Sequence, residues 1–437
     1  MGIQINGATD TISASDGSLS VSSSESTFSG IATFTSGLNV TGGNVTGDLT
    51  GNVTGNINSS GVSTVTTLNA TTISGVSTIG VTTATVTTLT VNGNAYPSDG
   101  PLSNRNIIIN GAMQVAQRGT VVNAGSEYAG PDRFRFTKND GAFTVSQDTD
   151  VPSGQGFANS WKCDVTTVAG TAGNFYVFLK YRIEGQDLQK LKKGTSSAES
   201  LTLQFWIKSP KAGTHIAELY DTDNDRNISK SYTVNDADTW EFKTLTFPGD
   251  TTGILDNDNS NSFEINLWLF AGTGFSSGTL NTSWNTNTDA NRAVGQVNTA
   301  DNTANNIYFT GIQLEVGSVA TPFEHRSYGD ELARCQRYFN RLTNGDQFSG
   351  RMNGTNNMDL GYSYPVTMRV SPSASTSFDT ADAEYGSTGL TVNAISVMGS
   401  GPNSCTMRFG TSNSGTNGSG AWARLTGNST ISLSAEL

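Results

Sequence analysis

A single stretch in which strand-like alternation gives way to helical spacing constrains this chain more than any other feature. In NIYFTGIQLEVGSVATPFEHRSYGDELARCQRYF, residues 306–339, the side chains Ile307, Phe309, Ile312, Leu314 and Val316 can share the buried face of one β-strand. Gly317, Ser318, Thr321 and Pro322 then supply turn chemistry. After Tyr328 the period changes: Leu332, Cys335, Phe339 and Leu342 recur at steps of three and four, as on one helix face. Asp330 stands near the helix start, where a carboxylate caps free amides, and Arg334, Arg337 and Arg341 lie toward its end, matching the dipole. The stretch closes a β-domain and opens a short hinge helix over 327–342. The chain on either side reads as β.

A chain of 437 residues is too long for one core, so two or three domains are expected. Only 14% of residues are charged and 49 are glycine, a mix that suits turn-rich, extracellular or fibrous β material. Regular spacing of Val, Ile, Leu and Thr argues against disorder. A net charge of −12 argues against a nucleic-acid partner, and Lys190, Lys192 and Lys193 make only a small basic group. Cys163, Cys335 and Cys405 are odd in number and far apart, which does not suit a disulfide framework or a metal knuckle. The opening MGIQINGATD has neither a basic nor an apolar region of a signal peptide, Asn6 stands where a myristoylation signal wants Ser or Thr, and no apolar run approaches a membrane span. Synthesis in a cytoplasm and no membrane insertion are the expectations.

Residues 1–42 scatter single apolar side chains through Ser, Thr and Gly, and need a partner surface or copies of themselves. Residues 43–94 repeat. Gly43, Gly47, Gly51 and Gly55 alternate with Val45, Leu49, Val53 and Ile57, and GVST recurs at Gly61 and Gly75. One aliphatic stripe per chain is too thin for a core, whereas three chains winding their stripes inward would make one, so the reading is a trimeric β-fibre shaft. A monomeric β-solenoid is the alternative. AYPSDGP within 95–103 is a linker.

Over 104–326, alternation marks strands at Phe175 to Ile183, Leu201 to Ile207 and Phe263 to Leu269. Trp240, Phe242, Leu245 and Phe247 mark another, and together these predict a central antiparallel β-sandwich, a jelly roll. Residues 343–437 predict a small C-terminal β-sandwich, with strands at Leu360 to Val370, Ala394 to Met398, Thr406 to Phe409, Ala421 to Leu425 and Ile431 to Leu437. The fold class is therefore all-β: fibre shaft, jelly roll, one short helix, small sandwich.

IQLEVGSVATPFEHRSYGDELARCQRYF resembles the segment near the end of many phage tail-fibre and virion structural proteins, marine phages especially. YPVTMRVSPS at Tyr364 is similar to the strand that follows it there, and NRNIIINGAMQVAQRGT with YAGPDRFRF resembles the opening of carbohydrate-binding-module-like jelly rolls. The resemblance covers roughly 104–437 and implies a homotrimeric virion fibre. It would dock on other virion proteins through residues 1–42, reach the outside by host lysis and adhere to a host-surface glycan. A purely structural virion fibre (whisker, head fibre or baseplate part) is the alternative, and a glycan depolymerase the third reading.

If one set of strand side chains makes the core, the other faces out. That outward set carries Tyr176, Phe178, Lys180 and Arg182; Gln204, Trp206 and Lys208; and Glu264, Asn266, Trp268 and Phe270. Rings beside amides and charges suit a pyranose, which stacks a C–H face and donates hydroxyls, so Tyr176, Lys180, Gln204, Trp206, Asn266 and Trp268 are candidate carbohydrate contacts. A protomer–protomer interface, also rich in Trp and Tyr, explains the same face and stays open. Asp221, Asp223 and Asp225 in DTDND, like Asp256 and Asp258, could crowd oxygens around Ca²⁺, but Arg226 and Tyr232 stand where an EF-hand needs Gly and Glu; solvated loops fit better. With His215 and His325 as its only histidines, the chain has little material for a triad or metal cluster, and no enzyme activity and no cofactor are expected. The trimer is directly testable: the purified full-length chain should sediment at three times its protomer mass, and a monomer in analytical ultracentrifugation would rule the trimeric shaft out.

Overall fold

The computed structural model describes residues 103–437, except Ala172 and Asn413, and a two-stranded hairpin, β1 (Thr90–Val91) with β2 (Asn94–Ala95). The attachment segment and the remainder of the expected shaft lie outside the described residues.

Period-two runs become two antiparallel sheets. In chain order the strands are β3 (Glu127–Tyr128), β4 (Phe134–Lys138), β5 (Ala142–Asp148), β6 (Ser160–Thr167) and β7 (Tyr176–Glu184). They continue with β8 (Leu201–Lys208), β9 (Gly213–Asp221), β10 (Arg226–Val234), β11 (Trp240–Phe247) and β12 (Asn261–Ala271). A one-turn helix α1 (Thr273–Ser276), β13 (Asn285–Thr286) and β14 (Asn306–Val316) complete the domain. One sheet runs β13-β10-β9-β12-β7-β4-β3 and the other β11-β8-β14-β6-β5. Their facing side chains, among them Phe136, Trp161, Phe205, Phe263, Phe309 and Leu314, form one buried core. The all-β antiparallel sandwich expected of this region is what forms.

The central strand β14 keeps Ile307, Phe309, Ile312, Leu314 and Val316 buried although the first two and last three differ in parity. A bulge does this. Pairing to β8 steps from Thr310↔Trp206 to Gln313↔Gln204, so β14 spends one extra residue there, and Gly311 takes φ +63°.

Around Trp268 the second face of the seven-stranded sheet is covered, contrary to the outward assignment of Phe178 and Trp268. Trp268 has no accessible surface and Phe178 is nearly as buried, packed with Ile216, Ala271 and Ala293. Residues 272–299 fold back over them: the Phe275 ring lies 5.6 Å from Trp268 and 5.4 Å from Tyr176. A bulge between Trp268 and Phe270 turns Phe270 into the inter-sheet core. The cover is pinned at the buried Glu218 carboxylate, which accepts from Arg292 Nε at 2.8 Å and Nη2 at 3.0 Å. It also takes Asn227 at 3.0 Å, Asn266 at 3.1 Å and the Trp268 indole at 3.2 Å.

Helix α2 (Tyr328–Gln336) is shorter than its spacing suggests. Ser327 caps it, its Oγ accepting from the Asp330 amide at 3.2 Å, and Asp330 sits in the first turn. Phe339 and Leu342, expected on the helix, instead belong to β15 (Phe339–Leu342), paired with β23 (Thr430–Ser434). Glu184 ends the helical run: Arg337 donates to it at 3.0 and 2.7 Å, and the Tyr338 hydroxyl joins them. The ladder and this ion pair, buried at its Glu184 end, outweigh local periodicity.

The C-terminal strands are β16 (Gln347–Met352), β17 (Asn357–Ser363), β18 (Ser373–Ser377), β19 (Thr380–Tyr385), β20 (Thr388–Ser400), β21 (Ser404–Thr411) and β22 (Gly420–Thr426), before β23. Where the small sandwich was expected, β16-β17-β21-β20-β19-β22 close into a six-stranded barrel beside a sheet of order β15-β23-β18. Phe348, Met358, Leu360, Met407 and Phe409 fill its centre, and Ala421 and Ala423 on β22 make room for them. Strand β17 stops at Ser363 rather than Val370, since Pro365 cannot donate to a ladder. Arg369 fastens the barrel to the sandwich through the Asn259 carbonyl at 2.8 Å and the Ala435 and Glu436 carbonyls at 2.7 and 2.8 Å. Glu436 in turn pairs with Arg118 and with the buried Arg133, whose guanidinium lies 3.4 Å from the Tyr338 ring centroid. Among the described residues no helix is long and apolar enough to cross a membrane.

Removing one partner of a buried ion pair costs about 3–5 kcal/mol. Glu218→Ala should therefore lower the unfolding midpoint sharply in urea and open 272–299 to limited proteolysis ahead of the rest of the domain.

Candidate functional site

The β14 bulge also shapes the outer face of the five-stranded sheet, where a groove of about 710 Å³ opens. One wall is Trp206 on β8 beside Phe242 on β11, which are register partners with ring centroids 5.4 Å apart. Facing lining residues come from loops: Phe157 and Phe323 meet edge to face at 5.1 Å, and the exposed His325 ring lies 4.8 Å from Phe323. Gly311 forms floor, because a Cβ there would meet the Phe157 ring at 2.6 Å. No Asp, Glu, Lys or Arg lines the groove among the described residues.

The floor's polar groups are held by the segment after β14. Glu315 accepts from the Thr321 amide at 2.9 Å and its hydroxyl at 2.7 Å, and Gln313 Oε1 accepts from the Glu324 amide at 2.8 Å. Thr321 in turn accepts at its carbonyl from Gln204 Nε2, 2.9 Å away. This leaves Gln204 Oε1, on a side chain only 2% exposed, with no partner among the described residues. A buried acceptor left open is costly. The groove thus offers aromatic planes and an exposed imidazole, with the buried Gln204 amide behind them.

Of the six candidate contacts, Gln204 and Trp206 meet in this groove. Tyr176, Lys180, Asn266 and Trp268 lie on the other sheet, on the far side of the sandwich. There Asn266 and Trp268 are fully buried donors to Glu218, Lys180 pairs with Glu264, and Tyr176 is half-buried against Phe275. The chain covers that face itself, so Trp268 is available neither to a sugar nor to another protomer. Phe157, Phe242, Phe323 and His325 were not foreseen as contacts. A signal existed for Phe242: the apolar positions of β11 break parity between Phe242 and Leu245, so both sets cannot face inward. Phe242 is 46% exposed and Leu245 buried.

The acidic run serves the β9–β10 turn. Asp221 is buried with Lys193 and accepts from the Asp223 and Asn224 amides at 3.0 and 3.1 Å, Asp223 accepts from the Asp256 amide at 2.9 Å, and Asp225 from the Tyr220 hydroxyl at 2.6 Å. Their carboxylates are spent on separate partners, and among the described residues no three His, Cys, Asp or Glu side chains converge on a common ion position.

No family model matches the chain, and no curated protein matches it. Solved structures overlap part of it. One is the enzymatically active domain of tailspike protein 4 from bacteriophage CBA120, at 14% identity and TM-score 0.27 over 48% of this chain. This chain spans only 21% of that domain's length. Another is the family 11 carbohydrate-binding module of Clostridium thermocellum with a β-1,3-1,4-mixed-linked tetrasaccharide, at 16% identity and TM-score 0.23, covering 46% of this chain and 97% of the module. A third is TmCBM61 with β-1,4-galactotriose, at 12% identity and TM-score 0.26, covering 49% and 99%. Overlaps this loose carry no argument about function.

His215, on β9, is buried in the core and belongs to stability rather than to the groove. Its Nε2 lies 3.2 Å from the Lys211 carbonyl, and Nδ1 has no partner among the described residues, an environment for the neutral ring. Burial pushes its pKa down to about 4 from an ordinary 6.5. The unfolded chain therefore takes up this proton first, and stability falls as pH drops through the window from 6.5 to 4, by about 3 kcal/mol in all. Urea unfolding across that window should show the loss, and His215→Gln should remove this component of it.

Proposed function

We propose that this chain is a fibre protein of a phage virion, trimeric through its repetitive shaft, that attaches to a host-surface glycan through the groove on the five-stranded sheet. The carrying observation is the groove itself. Trp206 and Phe242 present ring faces for the C–H face of a pyranose, opposite the Phe157–Phe323–His325 cluster. No carboxylate, ammonium or guanidinium lines the groove among the described residues, which favours neutral sugar units over sulfated or uronate ones. Three copies on one shaft raise a weak single-site affinity through effective concentration, so no groove need bind tightly. Residues 1–42 would dock on other virion proteins. The phage assignment rests on the resemblance of the segment around residues 312–339, and the glycan assignment on the groove.

Fluorescently labelled full-length protein should bind intact bacterial host cells, and periodate oxidation of their surface glycans should abolish that binding. Trp206→Ala should weaken it about tenfold or more, the equivalent of roughly 1.4 kcal/mol, while the melting temperature stays near wild type. Cell binding that survives both oxidation and Trp206→Ala would overturn the glycan reading and favour a structural virion part.

A further inference from the structure

We propose that the outer wall of the C-terminal barrel carries a second carbohydrate site, in which Trp422 stacks on a pyranose face and the Glu384 carboxylate accepts its adjacent hydroxyls. Alternation along β22 sends Ala421, Ala423 and Leu425 into the barrel and leaves Trp422 and Arg424 outside. Strand register then fixes the company Trp422 keeps. Across the outer wall one row reads Gly361, Ser349, Trp422, Glu384, Gly389, each the partner of the next. The row has a glycine at both ends, and a Cβ at either Gly361 or Gly389 would meet nothing within 4 Å. A half-buried indole therefore stands beside open space instead of being packed over.

The ring is held in place. Its N–H donates to Glu384 Oε2 at 3.2 Å, which also aims the carboxylate along the ring edge. Glu384 has no cationic partner among the described residues, so its remaining lone pairs are open to donors. The neighbouring row brings Asp382, paired with Arg424, and Thr391 to the same groove of about 390 Å³, within the ~300–1,000 Å³ typical of small-molecule clefts. A plane plus carboxylate acceptors calls for a ligand with one apolar face and several donors. An ammonium group would satisfy the carboxylates too, but the Arg424 guanidinium beside Asp382 cancels one of the two negative charges and opposes a cation. A neutral polyol with a C–H face suits both the plane and this charge balance.

The test uses the full-length chain and the methyl glycosides of glucose, galactose, mannose and N-acetylglucosamine, read by saturation-transfer difference NMR and titration. Trp206→Ala removes the sandwich groove from the measurement. In that background at least one glycoside should still bind, and adding Trp422→Ala or Gly389→Phe should weaken it tenfold or more. Gly389→Phe fills the groove where a side chain has room and the backbone is not left-handed, so it should melt like its parent. No residual binding in the Trp206→Ala background, or residual binding indifferent to Gly389→Phe, would overturn the barrel site while leaving the sandwich groove standing. Preference for methylammonium over every glycoside, lost with Trp422→Ala, would overturn it in favour of a cation site. Loss of binding on Trp422→Ala but not on Trp206→Ala would instead keep the barrel site and sink the sandwich groove.

Discussion

One extra residue in one strand sets the terms for the sandwich. The β14 bulge at Gly311 lets five apolar side chains of mixed parity all reach the core, and the same glycine leaves the space into which Phe157 packs from outside. A side chain at 311 would strain a left-handed backbone and collide with that ring, so core alternation and groove floor stand or fall together. The residues that follow are spent on the same task. Gln313, Glu315 and Thr321 bond one another and the loop behind them, and the Gln204 amide is oriented by what they leave. The string QLEVGSVATPFEH is thus a structural fastening whose outer end, at Phe323 and His325, lines the groove.

The opposite face shows what a buried carboxylate can do with surface that alternation points outward. Trp268, Phe178 and Ile216 would be an exposed apolar patch on a bare seven-stranded sheet. Glu218, with five donors around it, draws Arg292 and its segment down over them, so a third layer forms without a third sheet. The two outer faces of this domain therefore differ: on one the aromatic patch around Trp268 is closed by the chain itself, and on the other Trp206 and Phe242 are left beside a groove.

Much of the sandwich was legible in the sequence because its strands obey period two, and β7, β8, β12 and β14 fall where their alternation puts them. The site was legible in part, for physical reasons. Gln204 and Trp206 could be read as outward because β8 is regular over its whole length. Trp268 could not be read as covered, since the cover is a 272–299 segment with little periodicity of its own, held by side-chain hydrogen bonds between residues far apart in sequence. Phe157, Phe323 and His325 sit on loops, where spacing encodes no face. At the C-terminus, alternation specifies an inside and an outside but does not distinguish two stacked sheets from one sheet closed on itself. The closure shows only in the long-range pairing, where β16 meets both β17 and β22 and β19 meets both β20 and β22.

The joint between sandwich and barrel has a mechanical meaning. Arg369 bridges carbonyls of both bodies, while Arg337 and Tyr338 seize Glu184 and Glu436 lies between Arg118 and Arg133. Separating the two would strand several buried charges at once. A tug on the barrel is consequently passed to the sandwich as torque and tension instead of being absorbed by a slack tether.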